Sequence, residues 1–523
     1  MRAARIGRQW SDHVQSGRLA GIIGCLALVL LALPALGDLQ REIDRAIAEA
    51  SLEGMSIGVS VVDLRTGRRL AEVRAYEPLI PASNMKLLTS AAALMTLGEG
   101  FLFETRFVLA GDRLVVVGSG DPGLGDPALL SALPEPMDVE KLLDFIAETI
   151  VQAGPGAIRE VVIDDRVFER PSVHESWPRD QLQHYYCAEV GGLNFHLNIV
   201  NVFARPTSLN QPARVAIEPM ASGVEIDNTT RTVATQTSAG RPHTSALAVL
   251  RDDAGNRLRV SGAISRSIAV PTAVRDGAML FGEMLAERLD QKGLTIGQAH
   301  QLPRGAVRRA ADGERFEGRT LLFIKTPLPE VLRRCNTDSY NLHADALFKR
   351  LGHDLTREPG SWALGSAAVR TVLIDTIGPG SLDGLRIADG SGMSRHNRVS
   401  PATLSALLAH MNLHGGHSTR VLYRESLARS GQGTLRNNFL SERELRHDVL
   451  AKTGFLNGVR SISGYIAPKG GGEPVVAFSI LMNNFKPTDS LRSRELRNEL
   501  VRLIDREAAT LRTGSLVTEP STP

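Results

Sequence analysis

Pro81-Ala82-Ser83-Asn84-Met85-Lys86 runs directly into Leu87-Leu88-Thr89-Ser90-Ala91-Ala92-Ala93-Leu94-Met95. A proline closes an extended stretch, a short polar turn follows, and the chain then becomes strongly apolar. This predicts a helix buried in a core with its polar start at a cleft. Ser83 and Lys86 stand three residues apart, on one helical face, so the lysine amine can reach the serine hydroxyl. That pairs a nucleophile with a base, provided the ammonium loses its proton near neutral pH. Burial and a cationic neighbour such as Lys452 favour that loss by disfavouring the charged form. The helix start adds backbone N–H groups where an oxyanion would develop. Taken alone, Ser-x-x-Lys also reads as an N-cap serine followed by a surface lysine. Lysine is scarce, however, with 8 Lys against 52 Arg, and none of the six lysines other than Lys86 and Lys452 has Ser three residues before it.

Two later motifs supply partners. Ser339 of Ser339-Tyr340-Asn341 can relay a proton toward a leaving group. Asn341 can hold Lys86 through its side-chain carbonyl while its amide meets a substrate carbonyl. Ser208-Leu209-Asn210 has the same spacing, so this tripeptide is a weak signal by itself; the 339–341 copy is preferred. Lys452-Thr453-Gly454 precedes a C-terminal hairpin and so falls on a sheet edge forming the cleft wall. There Gly454 lets a peptide backbone approach, and Lys452 and Thr453 can bind a terminal carboxylate. Alone it reads as a polar strand start. In this order, the three motifs point to acyl transfer through a serine.

Apolar positions at helical spacing over 39–50 give way to strand character at 56–62, a turn at Thr66-Gly67 and a return strand over 70–73. At the other end, 461–466 and 474–482 pair around Gly470-Gly471-Gly472, followed by a charged amphipathic helix over 490–511. Both ends thus read as helix plus hairpin, and the expected fold is α+β: one mixed sheet assembled from the two ends and covered by helices. The middle, 104–272, carries short strand-like runs separated by Gly, Pro, Asn and Asp, and predicts a mostly β insertion. Helical character returns at 273–294, 342–351, 367–376 and 402–412, assigned to the second half of a discontinuous catalytic domain, 38–103 with 273–511. Residues 512–523 read as a disordered tail.

At 523 residues with 43% hydrophobic and 22% charged composition, the chain can build more than one core. Residues 1–37 read as a secretory signal: Arg2, Arg5, Arg8 and Arg18 precede an apolar run from Leu19 to Leu36, and Ala35-Leu36-Gly37 offers a cleavage site. This places the protein in the periplasm. The run is also close to the ~20 residues that span a bilayer, so an uncleaved N-terminal anchor stays open. Ile22-Ile23-Gly24-Cys25 resembles a lipid-attachment site, but the apolar stretch continues past Cys25.

Without the leader, 56 basic and 56 acidic residues remain, and no Lys/Arg block carries interleaved aromatics. Nothing supports nucleic-acid binding. Cys187 and Cys335 either pair in an oxidising compartment or stay separate buried thiols. His414-Gly415-Gly416-His417 reads as a loop, and Gly118 to Gly125 lacks the Lys-Ser/Thr of a phosphate loop. No metal and no cofactor are expected.

The three motifs together form the signature of penicillin-binding enzymes. Longer stretches narrow it: Gly118-Ser119-Gly120-Asp121-Pro122, Trp177-Pro178, Asp389-Gly390-Ser391-Gly392-Met393-Ser394-Arg395-His396-Asn397, and Ala451 to Gly454 followed by Asn457-Gly458-Val459. On these, over about residues 39 to 510, the chain resembles the D-alanyl-D-alanine carboxypeptidase/endopeptidase family of the penicillin-binding protein 4 type, serine peptidase family S13. The resemblance implies a transpeptidase/β-lactamase-like catalytic domain acting on peptidoglycan stem peptides, with β-lactams acylating the same serine. It implies Ser83 as nucleophile, Lys86 as base, Ser339 and Asn341 as the second element and Lys452 as carboxylate anchor. Thr453 and Gly454 would hold substrate, and the N–H groups of Ser83 and Phe455 would form the oxyanion hole. Arg395 would contact substrate, or else bind loop carbonyls as a structural arginine. Near Trp177 the resemblance suggests an acidic group meeting the stem-peptide amine, and Asp180 is the nearest candidate; a solvated loop Asp is the other reading.

Two positions depart from the family pattern: Tyr340 stands where Asp is usual, and Phe455 where a small hydroxyl residue is usual. They motivate a rival reading, a β-lactam-sensing or cell-wall-binding protein of the same fold with little turnover. A β-lactamase is the third, and the long insertion argues against it.

Overall fold

The computed structural model describes residues 38–236, 244–298, 301–436 and 445–513; the leader and the tail beyond Thr513 lie outside them. The chain opens with helix α1 (Asp38–Ala50), the hairpin β1 (Ser56–Asp63) and β2 (Arg69–Val73), and helix α2 (Met85–Leu97). It then departs through β3 (Leu102–Ala110), β4 (Arg113–Val117), α3 (Val139–Gln152) and β5 (Glu160–Asp164). Six strands follow, β6 (Ile199–Arg205), β7 (Arg214–Glu218), β8 (Glu225–Thr232), β9 (Ala248–Arg251), β10 (Arg257–Ile264) and β11 (Ile268–Ala273), then α4 (Gly277–Gln291), β12 (Val307–Arg309) and β13 (Arg319–Pro327). The return consists of α5 (Leu328–Asn336), α6 (Asn341–Thr356), α7 (Trp362–Ile377), α8 (Pro401–Leu413) and α9 (His417–Ser426). It ends in β14 (Ala428–Arg429), β15 (Asp448–Leu456), β16 (Val459–Ala467), β17 (Val476–Asn483) and α10 (Ser490–Thr513).

The two ends of the chain build one six-stranded sheet in the order β14-β15-β16-β17-β1-β2. Every pair in it is antiparallel, where a mixed sheet was expected. Hairpins make most of these pairs, and the β1–β17 pair brings the chain's two ends side by side. Alternate residues of a strand face opposite sides, and β17 shows the result. Phe478, Ile480 and Met482 share a core with Leu39 and Ile43 of α1 and Leu500 and Ile504 of α10. Ala477 and Leu481 point to the other face, into the core that contains α2. That helix is largely apolar and is enclosed over Met85 to Leu94, with Met95 exposed at its end; Leu87, Leu88, Ala91 and Ala92 are fully buried beside Leu347 and Phe348 of α6.

The inserted part forms a five-stranded sheet, β12-β5-β4-β3-β13, and two three-stranded ones, β11-β6-β7 and β8-β10-β9. Two expectations change here. Helix α4, assigned to the catalytic half, instead packs Phe281, Leu285 and Leu289 against Phe107, Val161 and Ile163 of the inserted sheet. Strand β13, also expected in the catalytic half, pairs with β3. A helical period tells which face is apolar, not which core receives it. Helix α3 also stands in a stretch read as mostly β; Asp138 caps it by accepting from Lys141 N (2.8 Å), and Leu142, Ile146 and Ile150 are buried at helical spacing.

Cys187 and Cys335 are free thiols in separate apolar clusters, so the unpaired alternative holds. Burial pushes both up to about 12. Among the described residues no helix is long and apolar enough to cross a membrane.

Candidate active site

A 3-10 turn, Ala82–Asn84, leads into α2 and carries Ser83 at the mouth of the helix. Lys86 is fully buried. Its Nζ donates to Asn341 Oδ1 (2.6 Å) and to the Ser391 carbonyl (2.8 Å), and lies 3.3 Å from Ser83 Oγ. Two of these acceptors are carbonyls that can only accept. A neutral amine has two N–H bonds and one lone pair, so both N–H bonds are held and the lone pair is left for the Ser83 hydroxyl.

Burial is the largest influence on Lys86 and lowers its pKa, while negative charge on Cys335, Asp345 and Asp389 would oppose it. Cys335 and Asp345 add little to that opposition, because burial pushes the Cys335 thiol up and burial plus the Asp389 charge hold the Asp345 carboxyl well above its ordinary value. Lys452 is held well below its usual value by burial first and by Lys86 second. The repulsion between these two amines is mutual and counts against a charge on both.

The Ser391 carbonyl belongs to the Asp389-Gly390-Ser391-Gly392 loop, which is clamped from several sides. Asp345 Oδ1, one turn along α6 from Asn341, accepts from the backbone N of Gly390 (2.9 Å) and of Ser391 (2.8 Å). Thr89, on α2, donates to the Gly390 carbonyl (2.8 Å). Asp389 accepts from Gly392 N (2.8 Å) and from Trp177 Nε1 (2.9 Å), which joins two of the family-like stretches. Gly392 has φ +84°, and a Cβ there would sit 1.8 Å from the Ala82 carbonyl oxygen, so the loop presses on the nucleophile turn. Ala82 itself adopts φ +47° and Ser339 φ +64°; left-handed φ costs a residue with a side chain roughly 1–2 kcal/mol. Ser391 and Asp345 escaped the sequence reading. A signal for Asp345 existed, since it stands four residues after Asn341 and hence on the same helical face.

Lys452 is also fully buried, and its Nζ donates to Ser339 Oγ and to its own neighbour's carbonyl, Thr453 O, both at 2.8 Å. The amine lies against Ser339, and of the Lys452-Thr453-Gly454 residues it is Thr453 and Gly454 that line the cavity. A Cβ on Gly454 would lie 2.8 Å from Ser83 N and 2.3 Å from Ser461 Oγ. The backbone that this glycine admits is therefore the chain's own nucleophile turn, which sets Ser83 N–H beside the β15 edge. Asn84, in the amide orientation that satisfies both its ends, donates to the Lys452 carbonyl at 2.9 Å and fixes that register. Ser83, Ser339, Thr453, Gly454 and Phe455 line one cavity of about 800 Å³.

Tyr340 is stacked under the Arg334 guanidinium, 4.2 Å from its ring centre. Arg334, 6% exposed at its side chain, makes a forked pair with the fully buried Asp126 (2.7 and 3.0 Å). The pair ties α5 to the inserted unit and supports the 339–341 turn. Burial would raise the Asp126 carboxyl, but His343 and Arg334 more than reverse that and hold it far below its usual range. Asp126→Ala is expected to cost up to about 3–5 kcal/mol in urea unfolding at pH 7, because it removes the forked partner of a buried guanidinium and leaves Arg334 only the Asp338 carboxylate. A carboxyl with a depressed folded pKa contributes stability above its unfolded value near 4, and that stability fades as pH falls toward the folded value. The difference between the two proteins must therefore shrink below about pH 4; a pH-independent difference would sink this account.

Asn341 stands within the site, whereas Arg395 and Asp180 do not line its cavity. Asn341 Nδ2 donates to the Tyr186 carbonyl (2.7 Å), so one of its two donors is already engaged instead of facing substrate. Arg395 is exposed and donates to the Asn457 carbonyl (3.0 Å), the structural alternative. Asp180 is exposed in a 3-10 turn, and its carboxylate makes no hydrogen bond or ion pair among the described residues. Neither lines the cavity. In the rival tripeptide, Asn210 accepts from Arg231 on the inserted sheet, away from Lys86.

Comparisons with known proteins show the family. A D-alanyl-D-alanine carboxypeptidase of Actinomadura sp. (strain R39) is 31% identical over 501 residues, covering 88% of this chain and 85% of that protein. The D-alanyl-D-alanine carboxypeptidase DacB of Haemophilus influenzae is 25% identical over 477 residues, covering 86% of this chain and 89% of that one. The crystal structure of penicillin-binding protein 4 (dacB) from H. influenzae superposes with a TM-score of 0.69 at 21% identity, covering 90% of this chain and 99% of that chain. The family model for D-Ala-D-Ala carboxypeptidase 3 (S13) matches residues 39–507, and with the Ser83–Lys86 pair inside that span the chain belongs to this family.

Proposed function

We propose that the protein is an exported serine D-Ala-D-Ala carboxypeptidase that works through an acyl-enzyme on Ser83 and also cleaves peptidoglycan cross-links. The observation that carries this is the Lys86 amine, buried, with its two N–H bonds held by Asn341 Oδ1 and Ser391 O and its lone pair left to Ser83 Oγ. Lys86 takes the Ser83 proton as Oγ attacks the carbonyl of the penultimate D-alanine. The N–H groups of Ser83 and Phe455 meet the oxyanion, and they are neighbours because Gly454 admits the nucleophile turn. As the C–N bond breaks, Ser339, held on Lys452, passes a proton to the departing amine and is resupplied with the proton that Lys86 took from Ser83, so that Lys86 is neutral again. Water then attacks the ester with Lys86 again as base, which restores the Ser83 hydroxyl and releases the shortened peptide. Thr453 meets the terminal carboxylate.

The catalytic unit in this reading is 38–101 with 328–513, and 102–327 is the inserted unit, a division supported by the main cores that each side builds, with a smaller cluster of Trp177, Cys187, Leu342 and Met393 joining them. The leader over 1–37 delivers the protein to the periplasm, where stem peptides are the substrate. The relatives' names supply the substrate class, and one solved relative is described in complex with a β-lactam.

Mass spectrometry after incubation with penicillin, alongside assay of D-alanine release from purified muropeptides, tests the reading. A penicillin adduct on Ser83 together with D-alanine release is expected. An adduct without release would instead favour a sensor, and no adduct would defeat both.

A further inference from the structure

The cavity at Ser83, about 800 Å³, has the size of a pocket for a drug-sized ligand, far more than one terminal alanine fills. Beside Ser83, Ser339 and Thr453, its wall carries three guanidiniums, Arg460 from β16 and Arg494 and Arg497 from α10, and no Asp or Glu among the described residues. Arg460 is 8% exposed. Its Nε donates to Ser493 Oγ and its Nη2 to the Ser490 carbonyl and hydroxyl, each at 3.2 Å. The guanidinium lies over the rings of Phe455 (5.0 Å) and Phe485 (5.8 Å). These contacts fix its plane without neutralising it. Arg494 is exposed and makes no hydrogen bond or ion pair among the described residues. Burial first, then the neighbouring guanidiniums, disfavour the charge on Arg460 and on Arg497. Arginine nevertheless stays charged in proteins, so an entering anion relieves a standing repulsion.

The direction of the substrate follows from the proton transfer. The departing nitrogen has to face the hydroxyl that protonates it, and Ser339 opens on this cavity. The leaving part of the substrate therefore extends toward the arginines. We propose that the cavity is the subsite for that leaving part, and that Arg460 and Arg494 recognise a carboxylate it carries beyond the one met at Thr453. This rests on Ser83 being the acylated residue. The substrates it selects are D-Ala–X peptides in which X bears a second, acidic group, since the planar fork of arginine matches a carboxylate in two parallel hydrogen bonds.

The test compares kcat/KM for peptides that share one acyl part and end in D-Ala-D-Glu or the neutral, similarly shaped D-Ala-D-Gln. The unaltered protein is expected to prefer D-Glu by about tenfold or more at low salt. The preference falls as ionic strength rises. Arg494→Ala brings the D-Glu to D-Gln ratio near one, Arg494→Glu takes it below one, and Arg494→Lys keeps part of it, with thermal melting as the check on folding. A ratio near one in the unaltered protein, or one that Arg494→Ala and Arg494→Glu both leave in place, overturns the subsite. Penicillin labelling separates the two failures: a labelled Ser83 with a flat ratio removes the subsite alone, while an unlabelled Ser83 removes the active-site reading on which it rests.

Discussion

Ser83→Ala is expected to abolish both D-alanine release from muropeptides and covalent labelling by penicillin, a loss of at least about 10⁴-fold in kcat/KM. The size of the effect follows from what remains. Without Oγ there is no bond to form, and Lys86, Asn341 and the backbone donors of β15 have only water to activate. The substitution removes one oxygen, and the neighbouring Lys86 amine keeps its two carbonyl acceptors, Asn341 Oδ1 and Ser391 O. Substrate binding and thermal stability should therefore change little while turnover disappears. D-alanine release at more than about one hundredth of the original rate would show that another residue is the nucleophile.

Lys86→Met and Lys86→Arg are both expected to lower acylation by about 10²–10⁴-fold, the range of a lost general base. The arginine variant decides the role. Arginine carries the charge but does not give up its proton in proteins, so it would partly rescue a lysine that served as a cationic anchor and cannot rescue one that served as a base. The pH profile gives the second readout. Only the neutral amine accepts the Ser83 proton, so the acylation rate rises with pH through the Lys86 pKa and levels off above it. An ordinary lysine would be neutral in fewer than about one molecule in a thousand at pH 7. Burial lowers the pKa of Lys86, and the rise should fall correspondingly below the ordinary lysine range. A profile that is flat across this range, or an arginine variant with substantial activity, would remove Lys86 from the base role.

The correspondence between sequence and structure is uneven, and the pattern is physical. Ser83 and Lys86 were legible together because helix geometry is local: three residues make roughly one turn wherever the helix stands. The two terminal hairpins were legible for the same reason, since alternation and turn residues mark them. The Ser339–Asn341 and Lys452–Gly454 motifs were found by their order and by resemblance. Nothing within either tripeptide showed that the first lies against Lys86, or that Lys452 lies against Ser339.

Residue types and short spacings alone therefore determined the neighbouring Ser83 and Lys86, the helix that buries the lysine, the strand and helix character of both ends, and the family. Only the tertiary structure decided that a carbonyl of the Asp389–Gly392 loop completes the cradle of Lys86, with Asp345 and Thr89 fixing it. It alone packed α4 against β3 and β5 and paired β13 with β3, and it gathered Arg460, Arg494 and Arg497 at one cavity. Those facts depend on closing loops of hundreds of residues and on the register of strands from opposite ends of the chain. A backbone carbonyl has no residue type to betray it, and the partner of an apolar helix face is chosen by the packing of the whole.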